Sequence, residues 1–154
     1  MGAELAALTA DDLPEVMRIE RTPGYEQVVG SWTREEHEAE LASPDARYLG
    51  FRDGDGLAGF VILQKFREPA IRLRRIAVGE VERGTGTRLV RAVLRWVFET
   101  TPAEAVTLGV ATINDRAHHV YLREGFVDDY ADADGTHMNM IVTRERWAAV
   151  HNSG

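Results

Sequence analysis

Apolar and polar positions recur along this chain with two periods, and each change of period marks an element. Residues 3–8 read as a short strand. Over "TADDLPEVMRIE" the period is helical: Leu13, Val16 and Met17 share a face, acids fill the first turn, and Thr9 stands as the cap. "RTPGYEQVVGSW" carries Pro23, Gly24 and Gly30 and reads as a loop or broken helix. Thr33 and Glu36 form a capping-box pattern for a second helix reaching about Ala42. "ARYLGF" and "LAGFVILQKF" read as strands joined by the hairpin turn "RDGDG", and "AIRLRRIAV" as the next strand. Beyond "RGTGTRLV", the residues Leu89, Val90, Val93, Leu94, Val97 and Phe98 make one helical stripe. "AVTLGVA" is a strand, and "NDRAHHVYLRE" a short helix closed by Gly125. "FVDDY" and "HMNMIVT" are the last strands. Adjacent strands precede the glycine-led helix, which favours an α+β domain with a mixed sheet over a strictly alternating doubly wound fold.

Composition narrows the classes. A chain of 154 residues suits one domain, expected over 1–150, with a frayed tail at 151–154. The absence of cysteine removes disulfides, thiolate nucleophiles and zinc–sulfur sites, and suits a cytoplasmic setting. A formal net charge of -7 makes general binding to nucleic acid or anionic membrane unfavourable. The N-terminus lacks a basic segment before an apolar one, so no signal peptide is expected. No apolar run approaches the ~20 residues that span a bilayer.

The glycines of "RGTGTRLV" ask for an explanation. Flexible residues at a helix start suit backbone N–H groups that close on a phosphate, or simply a strand-to-helix turn. A nucleotide P-loop would need Lys and then Ser or Thr after the last glycine, and the Lys is missing. A dinucleotide fingerprint would need a third glycine where Leu89 stands.

With the strand before it, the segment reads V-x-x-x-x-R-G-x-G from Val78. Further on, "GVATINDRAHHVYLREGFVDD" reads N-x-x-A-x-x-x-Y-x-x-x-G-F, with Asn114, Ala117, Tyr121, Gly125 and Phe126 in register. These segments, within residues 71–127, resemble the GNAT superfamily of acyl-CoA-dependent N-acyltransferases in order and separation. The resemblance implies a GNAT-like fold: a mostly antiparallel sheet of about seven strands flanked by about four helices. It implies acetyl-CoA as donor, with the loop of Arg83, Gly84, Thr85, Gly86, Thr87 and Arg88 around its pyrophosphate. It implies that the strand splays from its neighbour and that Ile76, Ala77 and Val78 pair with the pantetheine arm through their backbone. Asn114, Ala117 and Tyr121 complete the cofactor side. Arg88 departs from the pattern, which usually has Gly or Ala there; its side chain points outward or adds a cation near the phosphates.

The residues permit that reading. Asn114 and Tyr121 are seven apart, so both project from one side of a helix. A tyrosine hydroxyl can protonate a departing thiolate, the general-acid role the resemblance assigns to Tyr121. The plainer alternative is a half-buried aromatic with a satisfied hydroxyl.

The amine side is less defined. "AIRLRRIAV" holds Arg72, Arg74 and Arg75 and no carboxylate, so a base must come from elsewhere. Glu20, at the end of the first helix, is the first candidate, followed by Glu26, Glu68 and His137; each reads more readily as a solvated surface group. Tyr25, Glu26 and Trp32, in the Gly- and Pro-containing loop, are candidates for shaping the acceptor pocket. His118 and His119 are adjacent on a helix and point apart, which disfavours a metal. The expected reaction is direct transfer of an acetyl group from acetyl-CoA to a primary amine, on a small molecule or on a protein N-terminus or lysine. A non-catalytic acyl-CoA sensor is the alternative. An acidic rim would draw cationic acceptors. Family members are often homodimers, an expectation at the level of resemblance.

Overall fold

The computed structural model describes residues 5–21, 32–53, 56–79 and 85–152. Its strands are β1 (Leu5–Ala7), β2 (Arg47–Asp53), β3 (Gly56–Gln64), β4 (Ala70–Val78), β5 (Ala105–Ala111), β6 (Val127–Ala131) and β7 (His137–Thr143). Its helices are α1 (Leu13–Glu20), α2 (Arg34–Ala42), α3 (Thr85–Thr100), α4 (Asp115–Arg123) and α5 (Arg144–Asn152), with a 3-10 turn over Ala10–Asp12. The strands form one sheet in the order β1-β2-β3-β4-β5-β7-β6. Every neighbouring pair is antiparallel except β4 and β5. The α+β class and the seven-strand sheet are as the sequence implies.

Strand β3 is an almost continuous apolar run because both its faces are buried. Alternate residues separate into two cores. Val61 and Leu63 join Leu49, Phe51, Ile71, Leu73 and the stripe of α3. Phe60 and Ile62 join Tyr48, Ala77 and the α1 residues Leu13, Val16 and Ile19. The first core continues across β5 and β7 through Leu108, Val110, Met140 and Val142. The second stops at β4. Beyond β4 its face of the sheet is therefore left to polar groups.

Helix α2 has one buried residue, His37, and forms on its cap. Glu36 N–H donates to Thr33 Oγ1 (3.1 Å), and Thr33 N–H donates to Glu36 Oε1 (2.9 Å). Helix α5 is the element the hydrophobic pattern did not indicate. The sequence implies about four helices; five α-helices lie among the described residues. It also covers positions 151 and 152, expected to fray. Arg144 seats it, donating to the carbonyls of Phe98 (2.7 Å), Thr101 (2.8 Å) and Ala103 (2.9 Å) at the C-terminal end of α3. Polar bonds of this kind leave no periodicity for a sequence to display.

Candidate active site

Strands β4 and β5 pair only from Ala70↔Ala105 to Leu73↔Leu108. Beyond that point the ladder ends, although both strands continue. Between them opens a cleft of about 1120 Å³. The splay that the resemblance implied is present. Ile76, Ala77 and Val78 line the cleft, as do Gly86 of α3 and Asn114, Ala117 and Tyr121 of α4. Among the described residues nothing lies within 4 Å of where a Gly86 Cβ would stand.

The end of α4 fixes Tyr121. Gly125, at φ +111°, donates its N–H to the Leu122 carbonyl (3.2 Å), and Phe126 N–H reaches the Tyr121 carbonyl (3.0 Å). These are the paired bonds of a Schellman turn, which needs a residue at positive φ. The accompanying apolar contact is Phe126 edge-on to the Tyr121 ring, at 5.7 Å between centroids. Tyr121 is 8% exposed and borders the cleft. The G-F pair of the sequence pattern thus acts as the clamp on its tyrosine. At the other end of α4, Asn114 Oδ1 accepts the Ala117 N–H (3.2 Å) and caps the helix. Its side chain therefore has a local structural task as well as a place at the cleft.

Other expected residues fall differently. Thr85 opens α3; Arg83 and Gly84, with Tyr25 and Glu26, lie outside the described residues. Thr87 is half-buried and does not line the cleft. Arg88 turns away from it, its guanidinium 5.7 Å from the centre of the Phe51 ring on β2. Arg91 Nε donates to Glu124 Oε1 (2.9 Å), which ties α3 to α4.

Glu20 is fully buried and is not among the residues lining the cleft. Its Oε2 accepts from Arg75 Nη1 (2.8 Å), and its Oε1 lies 2.6 Å from His37 Nε2. Tyr48 Oη is 2.7 Å from His37 Nδ1. Burial pushes the Tyr48 hydroxyl well above its ordinary value of 10.0, so it stays protonated. Trp32 closes the group: its ring stands 4.4 Å from the Arg75 guanidinium and 5.3 Å from the His37 ring. The cluster joins α1, α2, β2 and β4 around the buried ion pair of Glu20 and Arg75.

Of the other candidate bases, Glu68 and His137 do line the cleft. His137 Nδ1 is 2.9 Å from Thr136 Oγ1. His118 Nε2 is 2.7 Å from Asp128 Oδ1, while His119 is exposed. The charge of the walls is mixed. Lys65, Arg72, Arg74, Arg75 and Arg116 stand against Glu68, Asp129 and Asp132. An acidic rim does not describe it. Arg72 and Asn139 are cleft residues that the sequence did not single out as a site, and the glycine inside β5, Gly109, was the one signal of a close approach there.

The sequence model of the acetyltransferase (GNAT) family matches residues 13–126. No curated protein matches in sequence. Solved structures do match in fold. Spermidine N-acetyltransferase from Vibrio cholerae, in complex with CoA and spermine, is 17% identical with TM-score 0.80, over 94% of this chain and 97% of that one. The ribosomal-protein-S18-alanine N-acetyltransferase from Escherichia coli is 19% identical with TM-score 0.75, over 92% and 93%. AAC(6')-Ib, in complex with acetyl-CoA and an aminoglycoside, is 17% identical with TM-score 0.78, over 96% of each. No helix among the described residues is long and apolar enough to cross a membrane.

Proposed function

This chain belongs to the acetyltransferase (GNAT) family, and we propose that it moves an acetyl group from acetyl-CoA to a primary amine by direct attack. The observation that carries this reading is the opening of β4 from β5 opposite a clamped Tyr121. The edge of β4 along Ile76 and Ala77 offers main-chain groups to an extended amide-bearing arm, as a strand offers them to a peptide, and Val78 lines the same cleft. The start of α3 at Thr85 and Gly86 suits the pyrophosphate.

In the transfer the neutral amine nitrogen attacks the thioester carbonyl. A C–N bond forms and the C–S bond breaks. The sulfur leaves as a thiol by taking the proton of the Tyr121 hydroxyl, which is restored from solvent. The proton lost by the amine passes to water, directly or through Glu68 or His137 at the cleft wall. Glu20 acts in this reading as a positioning group for Arg75 and His37, since both its oxygens are already engaged. Mixed charge along the cleft is compatible with a small amine and with a protein N-terminus or lysine.

A non-catalytic acyl-CoA sensor is the second reading, favoured by the absence of a carboxylate from β4. Release of free thiol from acetyl-CoA over a broad amine panel separates the two. Amine-dependent release that falls about 10²–10⁴-fold in Tyr121→Phe, with acetyl-CoA affinity retained, supports transfer. Tight acetyl-CoA binding with no release on any amine leaves the sensor.

A further inference from the structure

The wall beside the splay holds a charge that the transfer does not use. Arg72 pairs in register with Thr107, one step before the β4–β5 ladder ends. Its side chain lies on the sheet face that the α1 core leaves uncovered, where it is half-buried and lines the cleft. Among the described residues no carboxylate pairs with it. Its one side-chain bond is from Nη2 to Asn139 Oδ1, at 3.1 Å.

That bond is itself prepared. Asn139 Nδ2 donates to Asp132 Oδ1 (2.7 Å) and to the Tyr130 carbonyl (3.4 Å), which fixes Oδ1 towards Arg72. A Cβ on Gly109 would stand 3.0 Å from Arg72 Nη2, so the missing side chain makes the seat. Burial pulls the Arg72 guanidinium below its ordinary value, opposed in part by the nearby Tyr130 and Asp132, the sign of a cation held where its hydration is incomplete. Arg74, also at the cleft and without a carboxylate partner among the described residues, rests beside the Trp32 ring at 5.4 Å. An arginine seated in this way, partly dehydrated and with its nearest acid, Asp132, reached only through Asn139, is arranged to receive a carboxylate in a forked pair.

We propose that Arg72 is the carboxylate-binding residue of the acceptor site, so that the acceptor is a small amine that also bears a carboxylate. This rests on the acetyl-transfer reading. The mixed walls fit such a molecule. Glu68, Asp129 and Asp132 favour its ammonium group, and Arg72 and Arg74 its carboxylate. A polycation would set its second charge against those arginines. The separation along β4 from Arg72 to Ile76 is about 13 Å at strand rise, so the amine and the carboxylate sit at different depths of one cleft.

The test is thiol release from acetyl-CoA with matched acceptors: α-amino acids, ω-amino acids of increasing length, and the carboxamide of each. We expect kcat/KM for the best acid to exceed that of its carboxamide by about tenfold or more. In Arg72→Met that ratio falls towards one. In Arg72→Lys, which keeps the charge and loses the fork, it falls part of the way. Retained acetyl-CoA affinity and an unchanged melting temperature show that either variant is folded. Carboxamides or diamines used as well as the acids by the wild type overturn the proposal, and so does a ratio that survives Arg72→Met. No release with any amine, beside intact acetyl-CoA binding, overturns the transfer reading itself and this proposal with it.

Discussion

The two halves of β4 meet the same cleft by different means. From Ile76 to Val78 the side chains are apolar and enter the two cores, so what the strand offers the cleft is its main chain. From Arg72 to Arg75 it offers guanidinium groups: Arg72 is held by Asn139, Arg75 by Glu20, and Arg74 and Arg75 share the Trp32 ring. Main-chain recognition needs little from the side chains beyond a good core and a strand that parts from its neighbour. Side-chain recognition needs partners gathered from β7, from α1 and from the start of α2. The first is generic, suited to a donor common to many proteins. The second depends on which side chains are gathered, and it is where an acceptor would be chosen.

Breaking the charged half through Glu20 has the largest expected effect. Glu20→Ala leaves the Arg75 guanidinium and His37 Nε2 buried without their acid, at about 3–5 kcal/mol of stability, read by denaturant unfolding. A Glu20→Leu/Arg75→Met pair costs less than Glu20→Ala, because the buried guanidinium leaves with its acid and only the His37 Nε2 contact is lost. A double variant as unstable as the single one would contradict the account of the cluster.

The clamp on Tyr121, on the other wall of the cleft from the main-chain half, is tested at Gly125. An alanine at φ +111° is strained by about 1–3 kcal/mol, whereas its Cβ meets only ordinary contacts, the nearest at 3.5 Å. Loosening the Schellman turn shifts Tyr121, so turnover falls while acetyl-CoA affinity stays close to wild type. Affinity lost in step with turnover would place the effect elsewhere.

The smallest effect is in acid. The Thr9 N–H, 2.8 Å from Asp12 Oδ2, holds the Asp12 carboxyl below its ordinary value of 3.8, with Arg52 assisting. A folded value lower than the unfolded one stabilises above the unfolded value, and that contribution disappears as pH falls through the folded one. Stability around the start of α1 therefore declines below about pH 4. Asp12→Asn flattens that acid limb. An unchanged limb in thermal melts from pH 2 to pH 6 would remove Asp12 from the account.

How much of this the sequence could disclose follows the same division. Main-chain features are local and leave local traces. The capping box of α2, the glycine closing α4 and the N-x-x-A-x-x-x-Y spacing are each contiguous, and each stands where it was read. The site around Arg72 joins β4, β5 and β7, residues up to 67 apart, and no period or spacing connects them. Glu20 was legible as a carboxylate at the end of a helix, but its burial against Arg75 and His37 was not. Helix α5 lacked both an apolar stripe and an acidic capping partner. Its first turn is bonded by Arg146 N–H to Thr143 Oγ1 (3.1 Å), with an arginine where a capping box carries Glu or Gln.

The central claim is that the opening between β4 and β5 is the seat of acetyl-CoA. Isothermal titration of acetyl-CoA into the wild type and into Gly86→Trp tests it most directly. No described residue comes within 4 Å of a Cβ at Gly86, and Gly86 lines the cleft, so an indole there is aimed at its mouth, and the melting temperature reports the folding of the variant. The account predicts saturable binding to the wild type and its loss in Gly86→Trp at an unchanged melting temperature. Equal binding to both proteins, or none to the wild type, would contradict it.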